Sequence, residues 1–327
     1  MSPAMAGRLR QSFESAWRGR FTSVAPFAVG RYPWAWVAAV LPPVVALLWL
    51  IPAFVHRDLA ADWQTYVRGT DAILAGRSPY AAWQLTGPYG LSDATKGAGY
   101  VYPPTAAVLL APVIGSPEIL AVANLAIYSA GLLTIAWRAG RLTPIVAAVI
   151  LWSAEFHPGM LENLIVGNTS GILAGLLAWS PALGGAFLIG VAAALKLFPG
   201  VWALDPFLRR PARTIALVVA GFGAPALIAL ALAGIGPWLD YVAAMAHAGP
   251  SSGGRLTLAH LGLPAWSIYL LGLAIVAISL RVGQRWRLLG MGAAACAVAP
   301  DLPLSYSLLL SPGIVAVWLT RPGQKLP

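Results

Sequence analysis

Residues 34–55 read WAWVAAVLPPVVALLWLIPAFV, without one charged side chain. At 1.5 Å per residue a helix of that length reaches about 33 Å, enough to cross the roughly 30 Å of hydrocarbon in a bilayer. Further apolar blocks follow at about 104–115, 118–137, 142–155, 165–180, 184–205, 214–234, 264–281, 288–299 and 303–320. Of the 327 residues 59% are hydrophobic and 10% charged, against about 25% charged in a soluble domain. So few polar side chains cannot cover a surface in water, and lipid is the expected solvent. The predicted fold is all-α: a polytopic transmembrane helical bundle of about ten spans. Blocks 104–115 and 288–299 are shorter than a span, and prolines stand near their ends (Pro103, Pro104, Pro112, Pro300, Pro303 and Pro312). That pattern predicts re-entrant or broken helices there.

The formal net charge of +10 does not point to nucleic acid, because the basic residues cluster at the ends of apolar runs and form no continuous face. Residues 1–33 carry Arg8, Arg10, Arg18, Arg20 and Arg31 against Glu14, with no apolar signal core. They read as a basic cytoplasmic arm, or as an amphipathic helix on anionic lipid, since Phe13, Trp17 and Phe21 recur four apart. If every block crosses, this arm shares one side with the basic turns 206–213 and 281–287 and the tail 321–327. The positive-inside rule makes that side cytoplasmic and leaves loops 56–103 and 235–263 outside a single membrane domain, 34–320. Arg138 and Arg141 run against the scheme. Lysine is scarce beside Ala and Arg, a bias of GC-rich bacterial genomes, so a bacterial inner membrane is the expected location. The lone Cys296 excludes an intramolecular disulfide and a thiolate metal site.

Loop 56–103 is the most polar part of the chain. Residues 58–75 show helical periodicity, with Leu59, Trp63, Tyr66 and Val67 apolar, Asp58 and Asp62 one turn apart, Gly76 placed as a C-cap and Pro79 as a stop. This predicts a helix in the outer interface, its carboxylates turned from lipid. Acids just after a span usually serve only solubility, and no further acid or histidine completes a metal set here. The second outer loop carries Trp238, Asp240, His247 and the Gly- and Ser-rich stretch ending at Arg255.

Asp62-Trp63-x-x-Tyr66, Leu74-x-Gly76-x-x-Pro79-Tyr80 and Tyr100-Val101-Tyr102-Pro103-Pro104 stand in that order after the first span. Together they resemble the signature of glycosyltransferase family 87. Gly167-Asn168-Thr169-Ser170 is similar to that family's Gly-Gln-x-Asn segment, and Ala194-Leu195-Lys196-Leu197-Phe198-Pro199 to its Ile-Lys-x-x-Pro segment. The resemblance covers residues 35–213 well and the remainder poorly. Asn168 replaces the family's glutamine, and Pro303-Leu304-Ser305-Tyr306-Ser307 stands where the family has Pro-x-Ser-Trp-x-His, so a histidine is missing.

The resemblance implies a GT-C type fold and transfer of a sugar, mannose most commonly or arabinofuranose, from a polyprenyl-phosphate donor to a lipid or glycan acceptor on the outer face. It implies no cofactor, no metal and no nucleic-acid partner; membrane lipids are the surroundings. Asp62 is the implied general base, with Asp58 beside it as the second catalytic candidate. Lys196, Arg255, Tyr102 and Tyr306 are candidates to face the departing phosphate, where cationic and hydroxyl donors stabilise the charge that develops. Tyr66, Tyr80 and Asn168 complete the substrate-binding set, although aromatic residues at this depth also serve as an interfacial belt. An ionisable group such as Lys196 inside an apolar block is expensive and marks function by default. A transporter or flippase for a lipid-linked substrate, and an inactive scaffold of the same fold, are the competing readings.

Overall fold

The computed structural model describes residues 33–90, 99–181, 185–249, 263, 265–282, 284–299 and 303–320. These residues are almost wholly helical, and much of the punctuation comes from proline. Pro33, Pro104, Pro117, Pro144, Pro158 and Pro211 each open a helix: α1 (Pro33–Phe54), α4 (Pro104–Leu110), α5 (Pro117–Arg138), α6 (Pro144–Glu155), α7 (Pro158–Val166) and α11 (Pro211–Ala233). Proline suits a first turn because its missing N–H would have no partner there and its φ is already helical. Ser116 and Thr143 add side-chain caps, accepting from Ile119 N and Val146 N at 3.3 Å each.

Between these lie α2 (Ala61–Leu74), α3 (Ala82–Thr86), α8 (Ser170–Trp179), α9 (Gly185–Leu195), α10 (Leu204–Arg209) and α12 (Gly236–His247). They are followed by α13 (Ala265–Val282), α14 (Gln284–Val298) and α15 (Ser311–Leu319). Two 3₁₀ segments, Phe198–Ala203 and Leu304–Leu310, interrupt the α-helical runs. By length and composition α1, α5 and α11 can each cross a bilayer, and α6 with α7, bent by 49°, make a fourth candidate. α8, α9, α13, α14 and α15 are apolar but shorter, so crossings there need helices joined end to end. The expected break at 104–115 is present as the seven-residue α4. The one expected at 288–299 is not: α14 runs unbroken through Val298, because the prolines fall after it.

The most extensive packing joins α9 to α11, α13 to α14 and α5 to α8. Glycine allows it where α9 crosses α11. A Cβ on Gly190 would lie 2.3 Å from Val218 O, and one on Gly221 2.2 Å from Phe187 O. Backbones this near gain dispersion contacts, the main drive for association where lipid tails are as apolar as the side chains.

The helix expected over 58–75 begins three residues later. Asp58 sits in the exposed turn before it, so the two aspartates do not share a helical face. Nor does α2 lay its apolar side in lipid. Thr65, Tyr66, Gly69, Thr70, Ala72 and Ile73 are buried as it docks on α4, α7 and α11. Trp63 Nε1 donates to Ile114 O at 3.0 Å and Thr70 Oγ1 to Ala107 O at 3.2 Å. Polar side-chain atoms aimed at backbone carbonyls of the bundle hold it there. The two expected outer loops also meet. Tyr89–Gly90 pairs in parallel with Ala248–Gly249, Tyr89 OH donates to Ala244 O at 2.9 Å, and the Tyr80 and Tyr241 rings lie 5.9 Å apart.

Candidate functional site

α9 ends at Leu195, and the backbone turns into the 3₁₀ segment from Phe198, so Lys196 occupies a helix break within the apolar block 184–205. Its side chain is buried, with 4% exposure. An ammonium in such surroundings costs several kcal/mol unless it is paired and hydrogen-bonded. Nζ donates to Asn168 Oδ1 at 2.8 Å and to Tyr306 OH at 3.2 Å, and it lies 5.3 Å and 4.9 Å from the ring centres of Tyr102 and Tyr306. Cation–π contacts of this kind are worth about 2 kcal/mol or more when desolvated.

Asn168 is the junction. Its Nδ2 donates to Asp62 Oδ2 at 2.5 Å, while Oδ1 accepts from Lys196, from Thr169 N at 2.6 Å and from Ser170 Oγ at 3.1 Å. The orientation of the amide follows from its partners. An ammonium and a backbone N–H can only donate and an ionised carboxylate can only accept, so oxygen must face Lys196 and nitrogen Asp62. Asp62 itself is half-buried in the first turn of α2, where a carboxylate complements the helix dipole.

The loop carrying Asn168 has its own supports. α7 ends at Gly167 in the left-handed conformation, φ +69° and ψ 39°. Asn163 Oδ1 accepts from Ser170 N at 3.0 Å; Asn124, from α5, donates Nδ2 to Asn168 O at 2.9 Å and accepts from Ile172 N at 3.1 Å. A Cβ on Gly167 would lie 2.5 Å from Trp63 Cβ. Gly167→Ala is therefore expected to strain the backbone by about 1–3 kcal/mol and to push α2 off the loop. A lower unfolding midpoint in detergent, together with loss of activity, is the expected result. A midpoint equal to wild type would show that α2 does not seat on this loop.

One turn after Asp62, Tyr66 places its hydroxyl 3.3 Å from Thr169 Oγ1 and its ring 4.6 Å from that of Tyr102. Burial, reinforced by the neighbouring Asp62 charge, pushes the Tyr66 and Tyr102 phenols well above their ordinary range, so both stay protonated. Tyr306 sits on the second 3₁₀ segment, which is anchored where Ser305 N donates to Glu162 Oε2 of α7.

The structure thus brings together Asp62, Tyr66, Tyr102, Asn168, Lys196 and Tyr306. Tyr80 stands behind them: its hydroxyl donates to Tyr102 O at 2.7 Å, so it holds the loop and does not face the site. Asp58 is exposed in the preceding turn, and Arg255 lies outside the described residues. Sequence reading passed over Asn124, Asn163 and Thr169. Asn124 and Asn163 left a signal, as amides in otherwise apolar helices. A pair of short apolar grooves on the outside, between α1 and α6 and beside Trp238, carry only Ser153 as a polar lining side chain.

The family model of Glycosyltransferase family 87 matches residues 100–312, more than half of the chain. It takes in Tyr102, Asn168, Lys196 and Tyr306. It begins after Asp58, Asp62, Tyr66 and Tyr80, and it extends well past residue 213, where the resemblance of individual motifs fades. No curated protein and no solved structure matches the chain.

Proposed function

Since the chain belongs to glycosyltransferase family 87, we propose that this membrane glycosyltransferase moves a sugar, mannose before arabinofuranose, from a polyprenyl-phosphate donor to a lipid or glycan acceptor. The observation that carries the reading is a carboxylate and a buried ammonium gripped by opposite ends of one amide, where α2 docks on the helical bundle. The acceptor oxygen forms a bond to the anomeric carbon as the bond from that carbon to the phosphate oxygen breaks. Asp62 takes the acceptor proton. The phosphate keeps the electron pair, and its added charge meets Lys196 and the hydroxyls of Tyr306 and Tyr102; one such donor is worth about 2.7–4 kcal/mol in the transition state. Arg255 is proposed from the sequence alone to join them.

In this reading the bundle crosses a bacterial inner membrane about ten times, with the basic turns and both termini in the cytoplasm and α2 outside. The donor's prenyl chain stays in lipid while its phosphate reaches Lys196. Membranes carrying the protein are expected to convert radiolabelled polyprenyl-phosphate mannose, or the arabinofuranose analogue, into a new labelled product. Label that changes leaflet without leaving its carrier would point instead to a flippase, and absence of both events to a scaffold.

A further inference from the structure

Away from the candidate site, one carboxylate is shared by two arginines from different helices. Asp205, on α10, is buried, with 7% exposure. Its Oδ1 accepts from Arg209 Nη2 one turn further on, and Arg287 Nε, from the first turn of α14, lies 3.5 Å from the same oxygen. α10 also packs on α13, whose last turn carries Arg281. Arg210 and Arg213 stand exposed at the start of α11. Among the described side chains of 204–213 and 281–287, five guanidinium groups therefore stand against one carboxylate.

A staple between helices needs one cation for its carboxylate, and Arg209 already fills that role. Arg287 is the surplus. Its side chain keeps 14% exposure, but its Nε is fully buried with no hydrogen-bond partner among the described residues. A buried charged donor without an acceptor is costly. The planar fork of a guanidinium suits a phosphate, which offers several oxygens at once. Beside these charges α10 exposes Phe207 at 42% and Leu208 at 61%, so an anion with hydrocarbon attached meets both charge and apolar surface.

We propose that Arg209 and Arg287 bind the phosphate of an anionic phospholipid such as phosphatidylglycerol, with Arg210 and Arg213 adding to the attractive field and the acyl chains lying on Phe207 and Leu208. Basic pockets between helices hold anionic headgroups in this way. A zwitterionic lipid brings its own ammonium, which the surplus of guanidinium charge repels, and a free phosphate makes no use of the apolar side chains. The site lies in whichever leaflet these turns face, and it holds whether or not the chain transfers a sugar.

The test is native mass spectrometry of the full chain in detergent, titrated with phosphatidylglycerol or phosphatidylcholine. Phosphatidylglycerol is expected to bind saturably and phosphatidylcholine about tenfold more weakly or worse. Arg287→Gln and Arg209→Gln should each weaken phosphatidylglycerol by about tenfold or more, the loss that goes with one charge-assisted hydrogen bond. Arg209 is 48% exposed, so its variant gives a reading even if Arg287→Gln fails to fold. Arg141→Gln removes an exposed charge outside this cluster and should bind as wild type does. Equal affinity for the two lipids, wild-type affinity in either cluster variant that folds, or the same loss in Arg141→Gln would overturn the site. Displacement of the lipid by inorganic phosphate at matched ionic strength would overturn its assignment to a phospholipid.

Discussion

Asp62→Asn is expected to lower sugar transfer by about 10²–10⁴ with little change in the amount of folded protein. An amide matches the carboxylate in size and its oxygen can still accept from Asn168 Nδ2, so the contact that orients α2 survives in neutral form. What is lost is the capacity to take the acceptor proton in the transition state, and the loss should fall on kcat more than on donor KM. Asp58→Asn is the control: that side chain is exposed in the turn before α2, so its replacement should cost little. A large loss at Asp58 with little at Asp62 would exchange their roles, and full transfer by a variant carrying both Asp58→Asn and Asp62→Asn would end the carboxylate mechanism.

Lys196→Met is expected to cost at least about tenfold in donor-dependent turnover, since a hydrogen bond to a charged group is worth about 1.5–3 kcal/mol. Insertion should be unaffected or improved, because a thioether replaces a cation that is expensive to bury. Asn168 Oδ1 keeps Thr169 N and Ser170 Oγ as donors, so the amide stays in place without the ammonium. Turnover equal to wild type, measured with the labelled donor, would reduce Lys196 to a packing role shared with the Tyr102 and Tyr306 rings.

The helical class was legible from blocks such as 34–55, because a bilayer fixes how long an uncharged run must be. Gly76 was legible as the stop of α2 for a similarly local reason: at φ +69° it adopts a conformation that favours glycine. Lys196 stood out because a charge in an apolar block has few explanations. Three things were not readable. Periodicity reports a helical face but not what covers it, so α2 read as lying on lipid although Thr70 and Trp63 pin it to protein. Proline marks an interruption without saying whether a helix ends or begins there, and at Pro158 and Pro211 helices begin. The part played by Asn168 depends on residues 106 positions upstream and 28 downstream, a relation that no local pattern contains.

The same separations bear on how the chain is made. At synthesis rates of about 5–20 residues per second, Asp62 and Asn168 have both been translated before Lys196 is added, whereas Tyr306, 110 positions further on, follows about 5–20 s later. This buried cation is therefore made when its amide acceptor has already been translated but its phenol has not. For that interval the ammonium can lean on what precedes it, and the last segments of the chain close over a site whose charges are already seated.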